Sequence, residues 1–260
     1  MAKRILLTGP SGTIGQILWP HLIQIGYEVI PWERDAISTR DYHMMEQFIS
    51  EHKPEAFIHL AAITSFSENE RKESWHINYE WPCELAWICK THGIRFIFTS
   101  TAMVFSAQNQ GPYTSISNPD ATEGYGFEKR MAEEKGMLQN NDSVILRLGW
   151  QISETGDNSM ISFLQKQMEL KAEIQASTAW FPSCSFIQDT VEVIGQSLDF
   201  KPGIYMVNSN TELNFFEIAS FLNNQYAKNW NIIATEDYIH DQRMIDKRIK
   251  IQSLKQHFNT

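Results

Sequence analysis

The sequence has few cysteines and no long hydrophobic run, and each absence removes a class of protein. The cysteines are Cys83, Cys89 and Cys184, an odd number without a C-x-x-C pair, so neither a disulfide framework nor a zinc site is predicted. No run of about 18 apolar residues occurs, so no membrane-spanning helix is predicted. The eight histidines lack the spacing of metal ligands, and we expect no bound metal.

Positive charge and targeting signals are scarce as well. Lysine and arginine total 22 against 31 aspartate and glutamate residues, and the formal net charge of −9 argues against a nucleic-acid or membrane-surface partner. The opening MAKRILLTG has neither the apolar length nor the cleavage site of a signal peptide. Together with the unpaired cysteines, this favours a cytoplasmic protein.

Apolar strands and amphipathic helices alternate through the first half of the chain. Such alternation predicts parallel strands joined by right-handed crossovers, hence an α/β fold with a Rossmann-type doubly wound parallel sheet. The predicted strands span residues 4–8, 28–32, 55–60, 95–100 and 143–148. The predicted helices span residues 13–25, 41–52, 74–92 and 126–139.

The alternation loosens after residue 150. Helices are predicted at 159–170, 189–198 and 214–223, with a strand at 203–208 and an irregular aromatic segment at 180–186. Asp189 and Asn214 are the expected N-caps, and 246–255 has the spacing of a surface helix. We expect residues 1–150 to form the Rossmann domain and 151–260 mainly a substrate-binding lobe over the strand ends, with segments near 180–200 returning to the Rossmann core.

A glycine loop, TGPSGTIG, follows the first strand and opens the first helix. Its first glycine makes the tight turn, its second lets the backbone approach a pyrophosphate, and its third allows close packing. Free N–H groups at the helix N-terminus favour phosphate binding, and two hydroxyls add donors. The loop is therefore predicted to bind a dinucleotide, the alternative being a tight turn without a ligand. The candidate residues are Gly9, Ser11, Gly12, Thr13, Ile14 and Gly15.

The end of the second strand carries opposing signals for the type of dinucleotide. Glu33 can bond both hydroxyls of the adenosine ribose and repel a 2′-phosphate, which favours NAD. Arg34 can attract a 2′-phosphate, which favours NADP, or can be a solvated surface charge. The sequence therefore predicts NAD(P)H as the cofactor. It does not resolve NAD from NADP, although Glu33 slightly favours NAD.

Tyr125 and Lys129 have the spacing of neighbours on one helix face. A nearby ammonium favours the phenolate, so Lys129 is expected to lower the pKa of Tyr125 toward the range useful for proton transfer. The strand before them ends in Thr99, Ser100 and Thr101, where a hydroxyl can polarise a substrate carbonyl. Each feature also occurs by chance, but their order behind a glycine loop suggests an oxidoreductase.

These motifs together resemble the extended short-chain dehydrogenase/reductase superfamily, and within it the dTDP-4-dehydrorhamnose reductase-like (RmlD-like) family. The resemblance rests on the order and spacing of TGPSGTIG, FTSTAMVFS, YGFEK, ILRLGWQIS, FPSCSFIQDTVEV and GIYMVNSNTELNFFEIASFL. It implies an NAD(P)-dependent oxidoreductase that reduces a 4-keto-6-deoxy nucleotide sugar in deoxysugar biosynthesis.

The resemblance also implies roles for individual residues. Thr101, 24 residues before Tyr125, matches the family's catalytic threonine. It would polarise the C4 carbonyl while Tyr125 protonates the oxygen, and Lys129 would hold the nicotinamide ribose. Ala61, Ala62 and Thr64 match the loop beside the cofactor, and Ser38 stands where the family has an aspartate near the adenine.

Further positions match the family's substrate side. Ala102, Met103 and Trp150 are candidates for substrate contact. For Trp150, packing in the core is an equally good interpretation. Asn78 matches a family asparagine that can be purely structural.

One departure from the family leaves alternatives open. The family's S-T-D-Y-V-F reads STAMVF here, so Ala102 and Met103 replace an aspartate and a tyrosine. The altered motif motivates a non-catalytic partner module, like the regulatory β subunit of methionine adenosyltransferase, as one alternative. A nucleotide-sugar epimerase is another, and a homodimer stays an open expectation.

Overall fold

The computed structural model describes residues 3–64 and 67–258. In chain order the strands are β1 (Lys3–Thr8), β2 (Tyr27–Pro31), β3 (Ala56–His59), β4 (Arg95–Thr101), β5 (Val144–Leu148), β6 (Trp150–Ile152), β7 (Ile174–Ser177), β8 (Trp180–Phe181), β9 (Cys184–Phe186), β10 (Gly203–Val207), β11 (Ile232–Thr235) and β12 (His240–Asp241). The helices are α1 (Gly15–Gln24), α2 (Tyr42–His52), α3 (Arg71–Trp75), α4 (Trp81–Thr91), α5 (Gly124–Gln139), α6 (Met160–Lys171), α7 (Ile187–Gln196), α8 (Phe215–Gln225) and α9 (Leu254–Phe258).

A six-stranded parallel sheet forms the centre of the molecule, in the order β10-β5-β4-β3-β1-β2. Side chains alternate along each strand, so Ile5 and Leu7 enter the apolar cluster under α1 and α7, while Leu6 enters the cluster under α2, α4 and α5. Helices thus cover both faces of the sheet, which confirms the predicted Rossmann-type fold. All parallel strands end at one edge, where the loops gather.

The helical segment predicted at 74–92 contains a π-helical turn, His76–Glu80, between α3 and α4. Pro82 has no N–H to donate to the carbonyl of Asn78, which removes one ordinary helix bond at this point. The resulting turn carries Asn78, a fully buried residue, toward the loop after β3.

Two expectations about helix position are wrong. Asp189 is not an N-cap, because β9 runs directly into α7 and Phe186 takes that position, so Asp189 lies in the first turn. Residues 246–255 do not form a surface helix, and α9 begins only at Leu254. The Asp246 carboxylate accepts from the backbone N–H of Met206 in β10. This bond holds the start of the segment 246–255 against the central sheet.

The second half of the chain forms short parallel pairs, β6 with β9, β7 with β11 and β8 with β12, around a separate apolar cluster. The segment 180–186, expected to be irregular, supplies β8 and β9. This half also returns to the central sheet, because α7 packs against α1 and β10 pairs with β5. Within the described ranges, no helix is both long and apolar enough to cross a membrane.

Candidate active site

The glycine loop between β1 and α1 is tightly folded on itself. Gly9 has φ +66°, a left-handed conformation that favours glycine, and the Gly12 N–H donates to its carbonyl at 3.1 Å. A Cβ at Gly15 would lie 2.0 Å from the Gly9 oxygen, so no other residue fits there without a shift. The loop therefore brings backbone N–H groups close together at the start of α1, a form suited to phosphate binding.

Two further segments lie against this loop. The N–H groups of Leu60 and Ala61 donate to Thr8 Oγ1 at 3.1 and 3.2 Å, which places the loop after β3 beside the glycine loop. A Cβ at Gly156 would lie 2.5 Å from Thr13 Oγ1, so the loop after β6 also contacts the glycine loop.

Asn158 of that same loop donates to Thr64 Oγ1 at 3.4 Å. Gly156 and Asn158 lie outside every motif from which the site was predicted. The turn-forming run Ser-Glu-Thr-Gly-Asp-Asn-Ser was the available signal.

The turn after β4 carries the candidate threonine. Thr101 is 9% exposed, and its Oγ1 accepts the N–H of Met103 at 3.1 Å. A Cβ at Gly126 would lie 2.0 Å from the Met103 carbonyl oxygen, so α5 starts in direct backbone contact with this turn. The turn formed by STAMVF is thereby in contact with the helix that carries Tyr125. The Met103 side chain is half exposed at this contact.

Lys129 is fully buried on α5, and its ammonium has no hydrogen-bond partner among the described residues. Its Nζ lies 3.9 Å from the centre of the Phe98 ring. Burial lowers the pKa of Lys129 to about 7, against the opposing charges of Glu133, Cys83 and Glu128. The same burial, together with Lys129, holds the pKa of His59 well below its usual range.

Tyr125 is the second residue of α5 and is partly buried. Burial, and then the carboxylate of Glu128, raise its pKa. The prediction that Lys129 lowers this pKa is wrong in the structure. Lys129 lies over Phe98 with its own charge disfavoured by burial, while Glu128 supplies a negative charge close by. Burial and Glu128 thus both favour the protonated phenol of Tyr125.

Glu128 is the centre of a buried hydrogen-bond network. Its Oε2 accepts from Ser74 Oγ at 2.6 Å and from Asn78 Nδ2 at 2.7 Å. Asn78 also accepts the N–H of Ile63 at 2.9 Å and donates to the Ile63 carbonyl at 2.8 Å. The network fixes the loop that contains Ala61, Ala62 and Thr64 against α5. Asn78 was recognisable from its motif and Glu128 was not, although its carboxylate directly precedes Lys129 in the sequence.

Trp150 lies at the junction with the second half of the chain. Its Nε1 donates to the carbonyl of Asn158 at 3.1 Å, and its ring stacks with Trp180 and Phe215, each at 6.2 Å between centroids. The ring is partly exposed, so it combines a core contact with a free face. Both interpretations of Trp150 fit this position.

The turn after β2 holds the remaining candidates. The Glu33 carbonyl accepts the N–H groups of Ala36 and Ile37, and its side chain is exposed. Arg34 and Ser38 instead line an open groove beside this turn. Across residues 3–64 and 67–258, no group of three or more His, Cys, Asp or Glu side chains could hold a metal ion.

The residues present fit a bound dinucleotide. Gly9 and Gly15 shape a cradle that a Cβ would fill, and Lys129 has a buried ammonium that lacks an acceptor. The predicted groups from β1, β4 and α5 lie at one edge of the sheet, and Glu33 and Arg34 follow β2 at the same edge, on the far side of β1 from β4.

Comparison with known proteins gives consistent results. The spore coat polysaccharide biosynthesis protein SpsK of Bacillus subtilis (strain 168) is 27% identical over 239 residues, covering 90% of this chain and 84% of SpsK. A dTDP-4-keto-6-deoxy-D-glucose reductase of Streptomyces niveus is 28% identical over 174 residues, covering 66% of this chain and 59% of that protein.

The fold is shared with solved structures. A dTDP-4-dehydrorhamnose reductase from Bacillus anthracis str. Ames in complex with NADP superposes with a TM-score of 0.85 at 22% identity, covering 100% of this chain and 98% of the other. WbmH of Bordetella bronchiseptica in complex with NAD+ gives a TM-score of 0.81 at 18% identity, covering 99% and 96%. The model of the RmlD substrate binding domain family matches residues 3–240. The predicted RmlD-like family is thereby confirmed: this chain belongs to the RmlD substrate binding domain family.

Proposed function

We propose that this chain is an NAD(P)H-dependent oxidoreductase that reduces the 4-keto group of a 4-keto-6-deoxy nucleotide sugar. The observation that carries the proposal is the backbone contact between Gly126 and Met103, which joins the Thr101 turn to the helix of Tyr125 and Lys129. The names of the reductase relatives support the same substrate class.

The cofactor supplies a hydride when bound, and the chain's own residues hold and protonate the substrate. The glycine loop and the N-terminus of α1 would hold the pyrophosphate, and Lys129, whose ammonium has no acceptor among the described residues, would donate to a ribose hydroxyl. Thr101 polarises the carbonyl by a hydrogen bond to its oxygen. Tyr125 would donate its phenolic proton to that oxygen, which becomes the hydroxyl of the product alcohol.

The raised pKa of Tyr125 suits this direction of reaction. A phenol that burial and Glu128 keep protonated is available as a proton donor throughout the neutral range. The partner-module and epimerase alternatives are not favoured, because the names of the relatives are those of reductases.

The test is turnover of purified protein with a panel of nucleotide 4-keto-6-deoxy sugars, each with NADH and NADPH. We expect loss of nicotinamide absorbance and formation of the 4-hydroxy sugar with at least one substrate. Tyr125→Phe should abolish turnover and leave dinucleotide binding intact. Tyr27→Phe, at the amino end of β2, is the matched control and should keep full activity. Absence of reduction across the panel would contradict the proposal.

A further inference from the structure

One short segment, residues 73–80, contacts two separate parts of the candidate site. It comprises the end of α3 and the π-helical turn that follows it. Glu73 and His76, three positions apart, bond to the turn after β2, whereas Ser74 and Asn78, four positions apart, bond to α5. Residues at these spacings share a helix face, so the segment presents one face to each part of the site.

The first face holds the turn after β2. His76 is 3% exposed, and its Nε2 lies 3.0 Å from Thr39 Oγ1. Its Nδ1 lies 3.0 Å from the carboxylate oxygen Oε2 of Glu80, so Nδ1 carries the ring hydrogen and Nε2 accepts from the Thr39 hydroxyl. The Arg40 guanidinium adds an exposed ion pair to Glu73 at 2.6 Å. The turn after β2 is therefore attached to the segment at two adjacent positions.

The second face holds the helix that carries Tyr125 and Lys129. Ser74 and Asn78 are fully buried, and both donate to Glu128, the residue directly before Lys129. Asn78 Nδ2 lies 3.2 Å from Ser74 Oγ, which joins the two donors to each other. Breaking such a buried bond leaves a polar group without a partner, so the bonds keep their members at fixed distances. The turn after β2 and α5 are thus connected through one rigid segment.

We propose that His76 is a positioning residue that holds the turn after β2 and the helix of Lys129 at the separation that one dinucleotide spans. This inference rests on the proposed function, in which the pyrophosphate lies at the glycine loop and Lys129 meets the nicotinamide ribose. The adenosine then lies toward the turn after β2. A ligand that contacts both places binds tightly when their separation is already set, because ordering the protein on binding costs part of the binding free energy. The bond between His76 and Thr39 provides this order in advance.

The test compares two ligands that differ in reach. ADP carries the adenosine and the pyrophosphate, whereas ADP-ribose also carries the ribose that is expected at Lys129. Each displaces NADH or NADPH from the purified protein, and nicotinamide fluorescence gives its affinity. We expect the wild type to bind ADP-ribose more tightly than ADP. His76→Phe keeps a buried ring without the bond to Thr39, and it should reduce this advantage by about fivefold while the affinity for ADP changes by less than about twofold.

Two further variants show whether the effect passes through the proposed connection. Thr39→Val removes the same bond from the other side and should reduce the ratio of the two affinities to the same extent. Lys129→Met should abolish the advantage of ADP-ribose, because the added ribose then has no ammonium to meet. In that background His76→Phe should have no further effect on the ratio, since one of the two places is already lost.

Thr91→Val is the matched control. The Thr91 hydroxyl donates to the Ile88 carbonyl within its own helix α4, which ends there before β4 begins. This variant should keep the wild-type ratio. An unchanged ratio in both His76→Phe and Thr39→Val overturns the proposal, even if their melting temperatures fall, and so does equal binding of ADP and ADP-ribose by the wild type. If neither NADH nor NADPH binds to the wild type, the proposed function itself fails, and the two failures are thereby distinguished.

Discussion

The side-chain amide of Asn78 donates to Glu128 at 2.7 Å, and this buried bond connects the loop after β3 to the helix that carries Tyr125 and Lys129. Glu128 is only 3% exposed, and Ser74 donates to the same carboxylate oxygen. A buried carboxylate needs donors that replace the lost water, and these two bonds also fix its position. The loop expected to lie beside the cofactor and the helix expected to carry the chemistry are therefore held as one unit.

Replacing this carboxylate should change the pH dependence of reduction. Glu128→Gln keeps the shape and an acceptor oxygen but removes the negative charge that raises the pKa of Tyr125. The proposed role of Tyr125 is proton donation, so activity should fall as the pH rises through its pKa. A lower pKa moves that fall to lower pH. The measurement is the pH profile of kcat/KM.

Glu134→Gln is the control for this variant, since Glu134 is exposed on the same helix and pairs with Arg130. Its profile should match that of the wild type. An alkaline limb that is unchanged in Glu128→Gln would show that Glu128 only packs against its neighbours.

The buried ammonium of Lys129 should make stability depend on pH. Its pKa is about 7 in the folded protein and 10.5 ordinarily, so between these values the unfolded chain binds one more proton than the folded chain. Stability from this group therefore rises with pH across that window, by on the order of 1 kcal/mol per pH unit. Below pH 7 the penalty for the buried charge is fully present.

Lys129→Met isolates this contribution, because the other titrating groups, including the buried cysteines, are common to both proteins. The variant should be more stable than the wild type at pH 6.5, and the difference should shrink toward pH 10. Denaturant unfolding measured across that range tests it. Parallel stability curves would mean that Lys129 does not titrate in the window.

The contact between α5 and the Thr101 turn should not tolerate a side chain. Gly126→Ala puts a Cβ 2.0 Å from the Met103 carbonyl oxygen, so the helix and the turn must separate. We expect a loss of about 1–3 kcal/mol in the free energy of unfolding and a marked fall in kcat. Gly136→Ala, in the same helix, meets no atom within 4 Å and should stabilise by about 0.5–1 kcal/mol with unchanged kcat. Equal behaviour of the two variants would contradict this assignment.

The ion pair between Arg147 and Glu133 should hold α5 against β5. Both side chains are at most 3% exposed, and Arg147 Nη2 lies 2.6 Å from Glu133 Oε2. Glu133→Ala leaves the guanidinium buried without its acceptor and should cost about 3–5 kcal/mol of unfolding free energy. Glu134→Ala breaks an exposed pair on the same helix and should cost about 0–1 kcal/mol. Thermal or denaturant unfolding gives both values, and a small loss in Glu133→Ala would show that water reaches Arg147.

The central sheet could be predicted because its strands are buried on both faces and so appear as short apolar runs. The segment 246–255 could not, because Ile251 and Leu254 have the i, i+3 spacing of a helix, whereas Ile249 and Ile251 have the i, i+2 spacing of extended chain. The bond from Met206 to Asp246 decides between them, and it joins residues that are 40 positions apart. The prediction that Asp189 is an N-cap was wrong because β9 is only three residues long and leads directly into α7. The helix therefore begins before Asp189.

The sequence predicts which residues belong to the candidate site, but it does not predict their pKa shifts. The glycine loop, Thr101, Tyr125 and Lys129 follow from their motifs, and their roles in binding and catalysis stay predictions. The direction of the Tyr125 pKa shift depends on burial and on Glu128, and the state of Lys129 depends on its contact with Phe98. Neither can be obtained from spacing along a helix. The homodimer and the cytoplasmic location also stay predictions.

The pairing of β10 with β5 has a consequence for how the chain can be divided. A fragment that stops at residue 150 lacks this strand, so the backbone N–H and C=O groups of β5 become a bare edge that invites aggregation. It also lacks α7, whose Val191 and Ile194 share a core cluster with Leu18 and Leu22 of α1. We therefore expect the two halves to unfold in a single cooperative transition, and the half with the glycine loop not to be stable as an isolated module.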